Sequence, residues 1–277
     1  MYHSFIINYN IFFYFFKELL FIRGIFNIKE MIVLTDDFKI LNKNFEEIKK
    51  RGWIKSCRKG NTGIGYTFEK LLGKEEDALC LPDYNGIEIK THRKNSKSYI
   101  TLFNYNPIGE SSYELKRLLK RFGYRHSKNR NIRLLNSDIY CDYINDVGIN
   151  YKFSLCVDEI EQRIYLSVFD RLGLFVEKKA YWTFETIKNK LYSKLQYLAY
   201  VEADSKFING IEYFRYNKIS FYKLKNFDTF IDLVKKAKIK VSFLISGVFG
   251  DDDNINSHGT SFSIKSENIN LLFEPVE

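Results

Sequence analysis

Apolar and polar positions alternate along Ile87-Glu88-Ile89-Lys90, the period of a half-buried strand. The same reasoning places strands at Ile87–His92, Tyr99–Phe103, Tyr151–Val157, Ile164–Phe169, Gly173–Glu177, Glu212–Tyr222 and Lys240–Phe249. Helical patterns run from about Phe38 to Arg51, from Tyr66 to Leu72 with Gly73 as the stop, and from about Phe184 to Val201. Another helix starts at Asn226 or Asp228 and reaches about Lys238. Between about Ser112 and Phe122, the stripe Leu115, Leu118, Leu119 and Phe122 predicts one further amphipathic helix, ended by Gly123. Asp251-Asp252-Asp253-Asn254 lacks the spaced ligands and closing Glu of an EF-hand and reads as a surface turn. The sum is a mixed α/β chain with a mainly antiparallel sheet flanked by helices. Pro107, Gly109 and the serines after Glu110 make its clearest internal break.

The predicted strand Ile87–His92 carries the candidate chemistry. Ile87 and Ile89 should face a core, leaving Glu88 and Lys90 side by side on the other face. Asp83 follows Pro82 and precedes the turn-prone Tyr84-Asn85-Gly86, so it can fold back toward Glu88. An acid, a four-residue spacer, a second acid, one apolar residue and a lysine form the pattern of PD-(D/E)XK nucleases. Two converging carboxylates hold hard divalent cations such as Mg²⁺, as one or two ions, and the adjacent ammonium can steer a water. An acid and a lysine two apart on a strand are more often a solvated face, so the surroundings must decide.

Upstream, Gly60-Asn61-Thr62-Gly63-Ile64-Gly65 forms a glycine loop before the short helix. It lacks the Lys-Ser/Thr pair of a P-loop, and no strongly apolar strand precedes it, which argues against a nucleotide site. Gly-Asn-Thr-Gly-Ile-Gly-Tyr-Thr-Phe-Glu, then Pro-Asp-Tyr-Asn-Gly-Ile-Glu-Ile-Lys-Thr-His-Arg, resembles the MvaI/BcnI family of restriction endonucleases, itself similar to the MutH nickase. Ser257-His258-Gly259-Thr260-Ser261-Phe262-Ser263-Ile264 resembles a segment near that family's end, so the likeness spans roughly residues 50 to 273 in three ordered blocks. The resemblance implies a restriction-endonuclease-like core whose mixed central sheet is flanked by helices, with two lobes forming a DNA cleft. It implies Asp83 and Glu88 as metal ligands, Lys90 as partner of the attacking water, and Glu69 as an additional acid of the site. It places His258 in the DNA-contacting lobe. Ser263 stands where the family pattern leads one to expect a basic residue, which puts one DNA contact in doubt.

The chain has 277 residues and a net charge of +9, a balance that favours polyanionic partners. Abundant Lys, Asn, Ile, Tyr and Phe also follow from AT-rich coding, so clustering carries more weight than totals. From Leu115 to Arg133 the cations are Lys116, Arg117, Lys120, Arg121, Arg125, Lys128, Arg130 and Arg133, with no acid between them. The helix charges alone fit a solvated face. Their continuation through the loop around His126 favours a phosphate-contacting surface, with Lys116, Lys120, Arg125, Lys128 and Arg130 as candidates. Cys57, Cys80, Cys141 and Cys156 show no paired ligand spacing, and without a secretion signal they read as reduced cytoplasmic thiols. His92 lies two residues past Lys90, where a histidine is more often structural than catalytic.

Residues 1–30 contain the apolar run Ile6 to Phe16, stopped by Lys17 and Glu18, too short to span a membrane and lacking signal-peptide features. They read as an N-terminal extension ahead of a start at Met31, with 31–277 as the nuclease domain. Lys17, Arg23 and Lys29 against Glu18 and Glu30 give the extension only a small share of the +9. The expectation is a monomeric, cytoplasmic, Mg²⁺-dependent type II restriction endonuclease acting on short double-stranded DNA sites, with a DNA methyltransferase encoded nearby. The alternatives are a MutH-like strand-nicking repair endonuclease and a non-catalytic nucleic-acid-binding protein.

Overall fold

A computed structural model describes residues 28–74, 81–94, 96–111 and 113–276. The chain divides into two compact units, Met1–Arg51 and Gly52–Glu277. In the first, the described part is the helix Ile28–Lys50. It begins about ten residues before the expected start, and runs through Met31 without a break. Leu41, Phe45 and Ile48, spaced along one face, are its buried positions. The extension expected before Met31 lies outside the described residues up to residue 27. Among the described residues no helix is long and apolar enough to cross a membrane.

The second unit holds three five-stranded sheets. The first has the order Ile54–Lys55, Ile211–Leu224, Tyr197–Ile208, Ile87–Arg93, with Phe273–Pro275 added on Ile211–Leu224. Its pairing of Tyr197–Ile208 with Ile87–Arg93 is parallel, setting Glu88 opposite Leu198 and Lys90 opposite Tyr200. The other named strand pairings are antiparallel, so this sheet is mixed. The second sheet runs Tyr99–Asn104, Asp251–Lys265, Ile239–Val248, Ile132–Ile139, Tyr124–Arg125. The third runs Tyr181–Thr183, Arg163–Asp170, Tyr151–Asp158, Asn145–Val147, with Phe175–Glu177 on Arg163–Asp170. One apolar core joins all three, with Leu198 and Phe273 from the first sheet, Phe243 and Phe262 from the second, and Phe153 and Trp182 near the third.

Three departures from the sequence pattern have local causes. The helix expected over Phe184 to Val201 ends at Leu195, and Tyr197–Ile208 is a strand. Tyr197-Leu-Ala-Tyr-Val is rich in aromatic and branched residues, and as an inner strand it is buried on both faces, which erases the two-residue period. Asp251–Asn254 belongs to the strand Asp251–Lys265, which returns from Val248 across Phe249 and Gly250 (φ +87°). The strand Ile132–Ile139 went unpredicted because Asn136, Ser137 and Asp138 interrupt its apolar pattern. The caps followed expectation: Asn226 Oδ1 accepts the Thr229 amide at 2.8 Å at the start of the helix Phe227–Lys235.

Candidate active site

A tight hairpin brings Asp83 back beside Glu88. Tyr84 N donates to Ile87 O at 2.9 Å and Ile87 N to Tyr84 O at 2.7 Å. Between them Asn85 and Gly86 have φ of 41° and 86°, the left-handed pair that Asn-Gly supplies to two-residue hairpin turns. Asp83 Oδ2 then accepts the Ile89 amide at 3.0 Å, and Lys74 Nζ donates to Asp83 Oδ1 at 2.7 Å. On the strand itself, Lys90 Nζ donates to Glu88 Oε1 at 2.6 Å.

The solvated face, the common alternative for such a strand, is not what forms. Glu88 is 0% exposed and Ile87 and Ile89 are buried as well. The strand is covered on both sides. The helix Phe184–Leu195 brings Lys194 Nζ to 3.4 Å from Glu88 Oε1, and the helix Gly63–Leu71 packs against Thr91, one strand position off Lys90. Glu88 Oε2 is buried and accepts no hydrogen bond.

The glycine loop is shorter than expected, because the helix already begins at Gly63. A Cβ on Gly63 would stand 2.4 Å from the Arg58 carbonyl oxygen, and one on Gly65 3.3 Å from Thr91 Oγ1 and 3.7 Å from Glu69 Oε1. Gly65 thus lets this helix approach the strand that carries Glu88 and Lys90, which places Glu69 near the cluster. At its other end, Gly73 N donates to Lys70 O and Lys74 N to Glu69 O, with Gly73 at φ +78°. This is a Schellman cap, and it delivers Lys74 to Asp83.

The carboxylates differ in their affinity for protons. Burial pushes Glu88 above the ordinary range, more than Lys90 and Lys194 pull it down, and Asp83 adds to the rise. Burial, then the charges of Asp83 and Glu88, also raises Glu69, against the pull of Lys74 and Lys90. For Asp83, burial acts upward too, but the Lys74 hydrogen bond, the Ile89 amide and the neighbouring ammonium charges outweigh it and hold the group low.

The structure therefore brings together Glu69, Asp83, Glu88 and Lys90. Lys74 and Lys194 join them, and neither carries a sequence signal, since one follows a helix stop and the other reaches the site only through packing. Arg93 is a third unforeseen residue. It forks onto Glu212 at 2.7 and 2.8 Å and donates to Asn61 O at 3.3 Å, tying the glycine loop to the sheet. His92 is buried, 3.1 Å from Ser98 Oγ and stacked near Tyr200, the structural role anticipated as the more common. Among the described residues no three His, Cys, Asp or Glu side chains form a ready-made metal cluster. Asp83 and Glu88 nonetheless offer hard oxygen donors, one of them the unbonded Glu88 Oε2, which suits a hard divalent cation.

The expected basic surface divides. Arg117 meets Glu114 at 2.5 Å and Glu177 at 2.8 Å, and Arg121 meets Glu177 at 2.6 Å, so these two cations are spent on carboxylates, one a helical turn away and one on a remote strand. Lys120, Arg125, Lys128 and Arg130 are exposed and Lys116 is half-buried over the Tyr113 ring. Arg125 and Arg133 sandwich the Phe249 ring at 4.1 and 4.2 Å. His258 lies in the strand Asp251–Lys265, with its side chain outside the described residues. Ser263 is buried, 3.5 Å from Thr101 Oγ1.

The sequence profile of the MvaI/BcnI restriction endonuclease family matches residues 42–273. The chain belongs to the MvaI/BcnI restriction endonuclease family. Solved structures similar to it include two of MvaI. One is restriction endonuclease MvaI in complex with its cognate DNA substrate, at 31% identity and TM-score 0.77, covering 86% of this chain and 96% of that one. The other is MvaI in the absence of DNA, at 30% identity and TM-score 0.56, covering 87% and 96%. A comparison with curated proteins returns no match. As a member of the MvaI/BcnI family the chain is a type II restriction endonuclease, a site-specific deoxyribonuclease. Such enzymes generally use a divalent metal.

Proposed function

We propose that this enzyme hydrolyses phosphodiester bonds within short double-stranded DNA sites in a Mg²⁺-dependent reaction, with Asp83 and Glu88 holding one or two ions. The observation that carries this reading is that the hairpin ties Asp83 to the strand on which Lys90 bonds Glu88 Oε1, while the buried Glu88 Oε2 accepts no hydrogen bond. The ion, when bound, supplies positive charge against the phosphate oxygens and acidifies a water. Lys90 orients the attacking water and adds a compact charge near the developing negative charge, a task to which the delocalised fork of Arg is poorly suited. Glu69 serves as the additional acid of the site. The hairpin turn and the Ile89 amide keep Asp83 aimed before substrate arrives, so little reorganisation is left for the reaction itself.

MvaI has been solved with its cognate DNA, which supports duplex DNA as the partner here. Lys116, Lys120, Arg125, Lys128, Arg130 and His258 are the residues we assign to DNA contact. The enzyme works as a monomer in the cytoplasm, and a methyltransferase encoded nearby protects the host's own sites.

The test is incubation of purified protein with unmethylated phage DNA and Mg²⁺, with EDTA and Asp83→Ala as controls. Discrete fragments from the wild type with metal alone are expected. Cutting that persists in EDTA, or in folded Asp83→Ala, would sink the assignment. Nicks without double-strand breaks would move it to a strand-nicking activity.

A further inference from the structure

Asp83 and Glu88 are not equally available to a cation. Glu88 Oε1 receives both Lys90 at 2.6 Å and Lys194 at 3.4 Å, and Oε2 accepts no hydrogen bond. Both Asp83 oxygens, by contrast, already accept a hydrogen bond. Oδ2 accepts the Ile89 amide, a backbone bond that cannot leave without opening the hairpin, and Oδ1 accepts Lys74 at 2.7 Å. Oδ1 is the Asp83 oxygen whose partner is a movable side chain, so a divalent cation held there meets the Lys74 ammonium. Mg²⁺ binds carboxylate oxygen at about 2.0–2.1 Å, so ion and ammonium compete for one position and repel each other.

We propose that Lys74 is a built-in counter-ion of the cation site, which occupies the Asp83 oxygen that the metal needs and withdraws when the metal binds. The inference rests on the reading of Asp83 and Glu88 as metal ligands. The local structure suits an exchangeable cation. The Schellman cap and Gly73 fix the Lys74 backbone beside the site, while the side chain keeps a quarter of its surface exposed and has a four-carbon stem to swing on. Lys194 is the contrasting case. It comes from the last turn of a docked helix and shares an oxygen already taken by Lys90, so it does not stand in the cation's way. Before the metal arrives, Lys74, Lys90 and Lys194 balance Glu69, Asp83 and Glu88; afterwards the metal takes over the share of Lys74.

The experiment is a calorimetric titration of the DNA-free protein with MgCl₂ and with CaCl₂ at fixed pH. It uses wild type, Lys74→Met, Lys74→Arg, the remote surface control Lys236→Met, and Asp83→Ala. Removing a partly buried ion-pair partner should tighten cation binding in Lys74→Met by roughly threefold to tenfold. Lys74→Arg and Lys236→Met should stay near wild type. Unchanged or weaker binding by folded Lys74→Met overturns the proposal. Full binding by Asp83→Ala would instead overturn the metal-ligand assignment beneath it, so the two failures are distinct. A second measurement needs no variant: amine-reactive labelling of wild-type Lys74, read by mass spectrometry, should rise on adding Ca²⁺. Labelling that falls or stays level also overturns the proposal.

Discussion

Glu88 and Glu177 are both strand glutamates buried to 4% exposure or less, and both face cations. Their surroundings differ in kind. Glu177 is met by Arg117 at 2.8 Å and Arg121 at 2.6 Å, and Arg117 also grips Glu114, whose carboxylate leaves no room for a Cβ on Gly109. Planar guanidinium forks arranged this way direct several donors at the carboxylates at once and resist exchange. The two glutamates hold Arg117 charged against its burial. Glu88 is held by lysine point charges on one oxygen, keeps the other unbonded, and has its proton affinity raised by burial. The arginine cluster anchors the helix Glu114–Phe122 to the third sheet. The lysine cluster instead meets its acid with compact ammonium groups. Both acids keep buried oxygens that accept no hydrogen bond, Oε2 of Glu88 and both oxygens of Glu177, so the difference lies in the partner: planar guanidinium groups at Glu177, compact ammonium groups on flexible stems at Glu88.

The largest expected effect breaks the comparison on the lysine side. Lys90→Ala should lower cleavage by about a thousandfold or more, because it removes charge at the transition state. Duplex binding, measured with Ca²⁺ in place of Mg²⁺ by gel shift, should be little altered. Comparable loss of binding would mean that Lys90 holds DNA rather than serving the chemistry.

On the arginine side, Arg117→Met should cost about 3 kcal/mol of stability, since it strands the buried Glu114 carboxylate and takes one of two arginines from Glu177. Thermal or urea unfolding gives the number, and cleavage per folded molecule should remain near wild type. A variant that melts like wild type but cuts poorly would reverse the roles assigned to the two clusters.

A smaller effect sharpens the contrast. Glu88 has a folded-state pKa above its unfolded value, so the metal-free fold binds a proton more tightly than the unfolded chain. Its ionisation therefore burdens the fold: the deficit is absent below the unfolded pKa and fully present once pH exceeds the raised folded one. Glu88→Gln in EDTA at neutral pH should melt no lower than wild type, while cleavage is lost. The raised value also means that protons compete with metal above pH 4.5, the ordinary glutamate value, so cation affinity should begin to fall at a pH where a free glutamate would still be ionised. Titrating Mg²⁺ across a pH series checks this, and a flat profile down to that ordinary value would contradict it.

Much of the Asp83–Lys90 hairpin was legible from the chain because its determinants are local. Asn85-Gly86 dictates a left-handed two-residue turn, and the turn returns Asp83 to Glu88. The blocks around Gly60, Asp83 and Ser257 carried the family likeness for the same reason, each being a contiguous run. The burial of Glu88 was misjudged, since alternation reports one covered face and cannot show that a second helix covers the other. The basic run was partly misread because Glu177 lies far from Arg117 in sequence and next to it in space.

Periodicity, turn chemistry and three short blocks determined the element types, the mixed α/β class, the carboxylate–lysine pattern and the family. Only tertiary structure decided the parallel pairing of Ile87–Arg93 with Tyr197–Ile208, the burial of Glu88, the arrival of Lys74 and Lys194, and the diversion of Arg117 and Arg121. The division has a physical reason. Backbone preferences act over a few residues, whereas burial and charge pairing act through space between residues far apart in the chain, 119 positions in the case of Arg93 and Glu212.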